Sequence, residues 1–352
     1  LHRMLGAGQY SCTADTVRPA RPAATERAGR ASTPERSGAP TPLSSPVERP
    51  RVTVLDLQHA AVSPPIVTPF DADGDVDADA LAGHVDALVE AGLDGMVPCG
   101  TTGEFASLAD AERRTAIETV VEAADGRVPV IAGAADTSVA GVRERLAAAA
   151  DAGADAGLVT LPYYHASTDP EGQRAFVEAV ADDAPLPVLL YDIPATVGES
   201  IDVDVLAGAA RRESVIGMKD TTGDLTGLEA KIGATPDSFA VFQGVDAQLY
   251  PSASLGVDGG IHALSQAIPE VFVALGEAIR EGDDERALTL HRRAVAPLFA
   301  RCADHGFAPA TKVAAAHRGF VPDPAVRPPL TLPNEAAREA IRADVDAALD
   351  VV

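Results

Sequence analysis

The chain has 352 residues, 46% of them apolar, with 28 basic residues against 52 acidic and a formal net charge of −24. That supports one large α/β domain or two ordinary ones, and so negative a surface would repel nucleic acid and anionic membrane. Three scattered cysteines with no CxxC pair, eight histidines without metal-ligand spacing, and no apolar run of the ~18–20 residues a span requires argue against a disulfide framework, a metal site and a membrane segment.

No cofactor is expected either. Abundant Asp and Glu, scarce Lys and no Trp suggest a halophilic cytoplasmic protein.

Residues 1–58 read as a disordered Arg/Pro-rich extension. Eight Arg against four acids in 1–52, with seven prolines between Pro19 and Pro50, leave little to form a core. Its Arg-rich, acid-poor character also resembles a transit peptide. From 59 to 283, short apolar runs alternate with amphipathic stretches. Strands are predicted over 63–69, 95–100, 128–133, 157–162, 187–192, 215–219, 239–243 and 259–263. Helices are predicted near 77–92, 109–125, 138–153, 170–183, 202–211, 225–234, 246–255 and 267–282; the second should bury Ala111, Ala116, Ile117, Val120 and Val121. Eight βα units fit a (β/α)8 TIM barrel. No GxGxxG follows the first strand to favour a dinucleotide-binding open sheet. Residues 284–352 read as an appended helical layer, with helices near 284–303, 308–318 and 334–350 and five prolines between Arg318 and Pro333.

A barrel gathers its chemistry at the C-terminal ends of its strands. Those ends deliver Gly100-Thr101-Thr102-Gly103-Glu104, Tyr163-Tyr164, Tyr191-Asp192-Ile193-Pro194, Lys219-Asp220, Gly244 and Ile261. Only three of the 28 basic residues are lysine, namely Lys219, Lys231 and Lys312. Arginine cannot replace an amine that must itself react. An unprotonated lysine in an apolar setting attacks a carbonyl to form a Schiff base. The plainer reading pairs Lys219 with Asp220 as a strand-end ion pair. Gly100–Glu104 can aim backbone N–H groups at an anion or be an ordinary βα loop. Glu104 reads as a loop carboxylate, and His262 as a wall or core residue. Taken together, the strand ends describe an enzyme that joins a lysine to a keto acid, with Tyr and Thr hydroxyls moving protons.

With those motifs, and the Val67-Thr68-Pro69-Phe70 opening, the chain resembles the dihydrodipicolinate synthase / N-acetylneuraminate lyase family from about Pro64 to Leu298. The resemblance implies that Lys219 forms the Schiff base and Tyr191 transfers protons beside it. It implies that Gly100, Thr101 and Thr102 bind the substrate carboxylate, with Thr102 also linking the tyrosine hydroxyls, and that Gly244 and Ile261 line the pocket. Tyr164 would complete the proton relay from a neighbouring subunit, in a homotetramer built as a dimer of dimers. One departure stands out. Synthases proper carry an arginine two residues after the proline of Tyr-x-x-Pro, where this chain has Thr196, so a charge-assisted carboxylate contact is missing. On that ground the sequence reading is a class I pyruvate-forming aldolase cleaving 2-keto-3-deoxygluconate or its 6-phosphate. No arginine in 162–169 separates the two substrates. The alternatives are 4-hydroxy-tetrahydrodipicolinate synthase, a keto-acid dehydratase, and a non-catalytic keto-acid-binding barrel.

Overall fold

The computed structural model describes residues 61–165 and 168–352. The extension expected over 1–58, and its transit-peptide reading, lie outside the described residues. Seven parallel strands form one curled sheet: β1 Ala61–Ser63, β2 Ile131–Gly133, β3 Ala156–Thr160, β4 Val188–Asp192, β5 Val215–Asp220, β6 Ala240–Gln243 and β7 Gly259–Ile261. Their order is β1-β7-β6-β5-β4-β3-β2. Helices connect them: α1 Ala78–Glu90, α2 Asp110–Ala124, α3 Val139–Asp151, α4 Pro170–Ala181, α5 Pro194–Val197, α6 Val203–Ala209, α7 Leu225–Ala234, α8 Leu249–Ala253 and α9 Pro269–Glu281. The short α5 was not anticipated from the sequence. This is the α/β barrel architecture that the alternation of strands and helices predicts.

The strand expected over 95–100 is not a ladder strand, and β1 stops at Ser63 rather than running to 69. Pro64, Pro65, Pro98 and Pro129 cannot donate to a ladder. The barrel nevertheless passes through this segment. Ile66 N donates to Val97 O (3.0 Å), Val97 N to Pro64 O (3.0 Å), Met96 N to Pro129 O (2.9 Å) and Ile131 N to Met96 O (2.9 Å). Val97 packs in the buried interior with Ala61 and Ile131, as an inward residue of an eighth strand would. The gap is thus spanned by hydrogen bonds that proline spacing keeps too irregular to count as a strand.

The acidic composition has a local use. Asp77, Asp169, Asp202, Asp224 and Asp283 each cap a helix by accepting from its first backbone N–H groups. A second use repeats around the barrel. After α1, α3 and α8 comes a glycine with positive φ and, two residues on, an aspartate: Gly92/Asp94, Gly153/Asp155 and Gly256/Asp258. Each aspartate accepts from the neighbouring strand's N-terminal end: Val62 N to Asp94 (2.7 Å), Val130 N to Asp155 (2.8 Å) and Val241 N to Asp258 (2.8 Å). The polypeptide thereby turns from helix to strand and clasps its neighbour in one step.

On α2, Ala116, Ile117 and Val120 are buried as expected, but Ala111 is exposed and Val121 half-buried. Arg113 takes a buried place instead, its guanidinium 5.2 Å from the Phe105 ring centroid and its Nε donating to Leu108 O. Cation–π contact and this hydrogen bond offset part of the cost of burying it. After the barrel follow α10 Asp284–Leu290, a π turn at His291–Val295, α11 Ala296–His305, α12 Phe307–His317 and α13 Glu335–Leu349. No described helix is long and apolar enough to cross a membrane.

Removing one clasp should be felt. Asp155→Ala is expected to lower stability by about 1 kcal/mol, the net worth of one hydrogen bond with a partly buried partner. Chemical unfolding followed by circular dichroism checks this, and an unchanged midpoint would remove the role.

Candidate active site

Strands β4 and β5 read Val-Leu-Leu-Tyr-Asp and Val-Ile-Gly-Met-Lys-Asp, apolar on both faces until their last residues. Side chains alternate across a strand, so the two final residues of each must face opposite ways. Tyr191 faces the barrel interior with Leu189 and Phe242, whereas Val188, Leu190 and Met218 pack outward. A register shift between Val188 and Leu189 brings Tyr191 opposite Lys219 and Asp192 opposite Asp220. Lys219 is only 4% exposed, with its Nζ 4.4 Å from the Tyr191 ring centroid. Gly244, following β6, is required there: a Cβ would lie 2.8 Å from Lys219 Cε and collide with the Thr221 hydroxyl.

Outward of the same strand ends lies a buried ion cluster. Lys231 reaches in from α7, its Nζ 2.5 Å from Asp192 Oδ2 and 2.6 Å from Asp220 Oδ2. The other oxygen of Asp220 accepts from the amide (2.9 Å) and hydroxyl (2.6 Å) of Thr222. The strand-end pair of Lys219 with Asp220 therefore does not form, because strand alternation turns Asp220 away and Lys231 takes it. Among the described residues no carboxylate lies within ion-pair range of Lys219. Burial pushes the Asp192 carboxyl above its ordinary value, against the pull of Lys231. For Lys231 burial opposes the charged form, yet Asp192 and Asp220 outweigh it and the ammonium is held above its ordinary value.

The Gly100–Glu104 segment follows Val97, the interior residue of the spanning segment. Glu104 N donates to Thr101 O (3.2 Å) and Phe105 N to Gly100 O (3.4 Å), so the loop closes on itself. Thr102 is buried and Thr101 exposed. Thr68, from the opening motif, donates its hydroxyl to Gly103 O (2.8 Å). Glu104 sits at φ 57°, a left-handed conformation uncommon outside glycine, and is buried. It is a structural carboxylate. Lys312 Nζ of α12 lies 2.5 Å from its Oε1, and Arg327 N donates to its Oε2 (3.0 Å). Phe70 lies between two cations, 4.0 Å from Lys312 Nζ and 4.4 Å from the Arg327 guanidinium. Arg327 in turn holds Glu112, whose carboxyl is lowered to about 2, chiefly by that hydrogen bond. The C-terminal layer thus ties down the loop.

Of the other residues singled out in the sequence, Ile261 lies fully buried in the interior cluster, and Gly100 packs on Pro65. Tyr164 is 97% exposed at φ 75° and does not reach the interior of its own chain. Thr196 is exposed on α5, where its hydroxyl donates to Ile193 O (3.3 Å). Two inward threonines escaped the sequence reading. Thr160, opposite Tyr191, and Thr221, beside Gly244, both carry buried hydroxyls without a protein partner. Strand parity alone would have found them, two residues beyond Leu158 and Lys219. Among the described residues no group of three His, Cys, Asp or Glu is placed to hold a metal ion.

A parallel α/β barrel with a buried primary amine over a tyrosine ring at the ends of its strands has the features that a Schiff-base enzyme requires. The comparisons agree. The profile described as the dihydrodipicolinate synthetase family matches residues 58–348, and the chain belongs to that family. It is 35% identical over 293 residues, 83% of this chain and 97% of the relative, to 4-hydroxy-tetrahydrodipicolinate synthase of Methanopyrus kandleri. The solved 4-hydroxy-tetrahydrodipicolinate synthase of Methylacidiphilum fumariolicum SolV superposes with a TM-score of 0.79 at 28% identity, covering 84% of this chain and 96% of that one. A prophage protein of the dihydrodipicolinic acid synthase family from E. coli K12, solved in complex with pyruvate, gives 0.78 at 31% identity over 83% of this chain and 99% of that one. The protein is accordingly a pyruvate-dependent Schiff-base enzyme of this family.

His262 is core, as one of its sequence readings had it. It is fully buried against Phe272 with both ring nitrogens unpartnered, and burial followed by repulsion from Lys219 lowers it to about 3. A depressed histidine leaves stability intact above its unfolded value near 6.5 and removes it as pH falls toward 3. At pH 5 the loss from this residue should be about 2 kcal/mol. His262→Phe should therefore narrow the stability gap between pH 7 and pH 5 in urea unfolding; an unchanged gap would contradict the assignment.

Proposed function

We propose that Lys219 Nζ attacks C2 of pyruvate and, losing water, forms an imine. Tyr191 carries the protons of that step, and Gly100, Thr101 and Thr102 hold the pyruvate carboxylate. The observation that carries this reading is the pairing of Asp220 with Lys231, which leaves the Lys219 amine unpaired over the Tyr191 ring. The iminium then gives up a C3 proton to become an enamine, whose C3 attacks an aldehyde carbon to form the C3–C4 bond, or in reverse C3–C4 breaks and the iminium takes up its electrons, without a metal. Gly244 and Ile261 shape the pocket. Tyr164, turned to solvent in its own chain, would complete a neighbouring subunit's site in a dimer-of-dimers tetramer. The enzyme would act in the cytoplasm on a small keto acid.

For the second substrate, the relatives' names support aspartate semialdehyde, making the chain a 4-hydroxy-tetrahydrodipicolinate synthase. This reverses the preference drawn from the sequence. A second reading keeps its support from one residue: Thr196 offers a hydroxyl where a carboxylate-binding arginine would stand, which suits cleavage of 2-keto-3-deoxygluconate or its 6-phosphate.

Two measurements test these readings. Borohydride reduction with pyruvate should add a three-carbon adduct to Lys219 by mass spectrometry and none to Lys219→Ala; equal labelling of both would overturn the lysine assignment. Pyruvate consumption with aspartate semialdehyde should exceed pyruvate release from either sugar acid. The reverse order would establish the aldolase reading, and labelling without turnover of any partner would leave a keto-acid-binding barrel.

A further inference from the structure

Lys231 belongs to no motif singled out in the sequence, yet it occupies a demanding position. Asp192 and Asp220 face each other across β4 and β5, one residue beyond Tyr191 and Lys219. Both are buried, and each gives one carboxylate oxygen to the same ammonium. Two carboxylates opposed on adjacent strands repel each other, so without a cation between them the strand ends would be driven apart. Any separation would be handed to the inward side chains, because a strand end moves as a unit. Lys231 also occupies the carboxylate nearest in sequence to Lys219. The cluster has a further mark of a positioning device. Among the described residues Lys231 is the one side chain that hydrogen-bonds Asp192, whose other support is the backbone N–H of Ile201.

We propose that Lys231 is a positioning residue for the reaction: by holding Asp192 and Asp220 together on the outer face of the barrel, it sets the distance and orientation of Lys219 against Tyr191. The proposal rests on the Schiff-base reading of Lys219.

The full-length parent is compared with Lys231→Arg and with the neutral triple variant Asp192→Asn/Lys231→Met/Asp220→Asn. Arginine keeps the charge but carries a broad planar fork where a compact ammonium fits. The triple variant removes the cluster without leaving a charge unpaired, a replacement that buried ion clusters often tolerate in stability. Circular dichroism and thermal melting establish that each variant folds. Pyruvate is added, samples are reduced with borohydride at timed intervals, and the adduct on Lys219 is quantified by mass spectrometry at several pyruvate concentrations. In a folded variant the trapping rate should fall by about 100-fold, as sub-ångström to ångström misplacement produces, while the half-saturating pyruvate concentration stays near that of the parent. A role confined to stability predicts a lower melting temperature and a parental trapping rate. A folded triple variant that traps at the parental rate overturns the proposal. Should the triple variant not fold, parental trapping by Lys231→Arg overturns it equally. If the parent itself carries no adduct on Lys219, the Schiff-base reading has failed; if the parent is labelled and the variants keep pace, only the role of Lys231 has.

Discussion

One ammonium between two carboxylates, sealed from water, fixes the ends of β4 and β5. The cost of burying those charges is met only if the geometry is held and most lone pairs are satisfied. Lys231 meets that requirement at 2.5 and 2.6 Å, with Thr222 taking part of what remains on Asp220. The consequence lies on the other side of the sheet. Because neighbours in a strand face opposite ways, the cluster and the amine over Tyr191 are two faces of one structural decision.

Lysine is rare in this chain, and each of the three is buried: Lys219, Lys231 and Lys312. Surface basicity is left to arginine. Each lysine occupies a place that suits a compact, point-like amine better than a planar fork. Lys219 stacks on a tyrosine ring with no ion pair among the described residues. Lys231 fits between two carboxylates. Lys312 joins Glu104, the Ala325 carbonyl (2.6 Å) and the Phe70 ring, and burial lowers its ammonium below its ordinary value. These last two hold the elements that carry the site, one the strand ends and one the loop of Thr101 and Thr102.

Much of this was legible in the chain. The helix predicted over 225–234 is α7 to the residue, because caps such as Asp224 and amphipathic spacing are local signals. The positions of Lys219 and Tyr191 were legible because each stands next to last in an apolar strand. Other features were not, for definite reasons. A lysine on a helix ordinarily reads as solvated, so nothing local distinguished Lys231. Glu104 and Arg327 are joined across 223 residues, and no periodic pattern announces such a contact. The segment over 95–100 looked like any other strand, but a ladder depends on the donors of its neighbours as well, and Pro64, Pro65 and Pro129 supply none.

The least legible feature has the largest effect. Val188 pairs with Val215, and continued without a break that register would set Tyr191 opposite Met218 and Asp192 opposite Lys219. Instead Leu189 pairs with Gly217, and Ile216 becomes an extra residue. A bulge of this kind advances one strand by a single position and re-aims every side chain that follows. Here it brings an inward tyrosine beside an inward lysine and sets two outward carboxylates face to face. It also gives Lys231 its place, since a cation between opposed carboxylates offsets their repulsion. Had the register run on unbroken, Asp192 would have stood across from Lys219 as a ready ion partner for its amine.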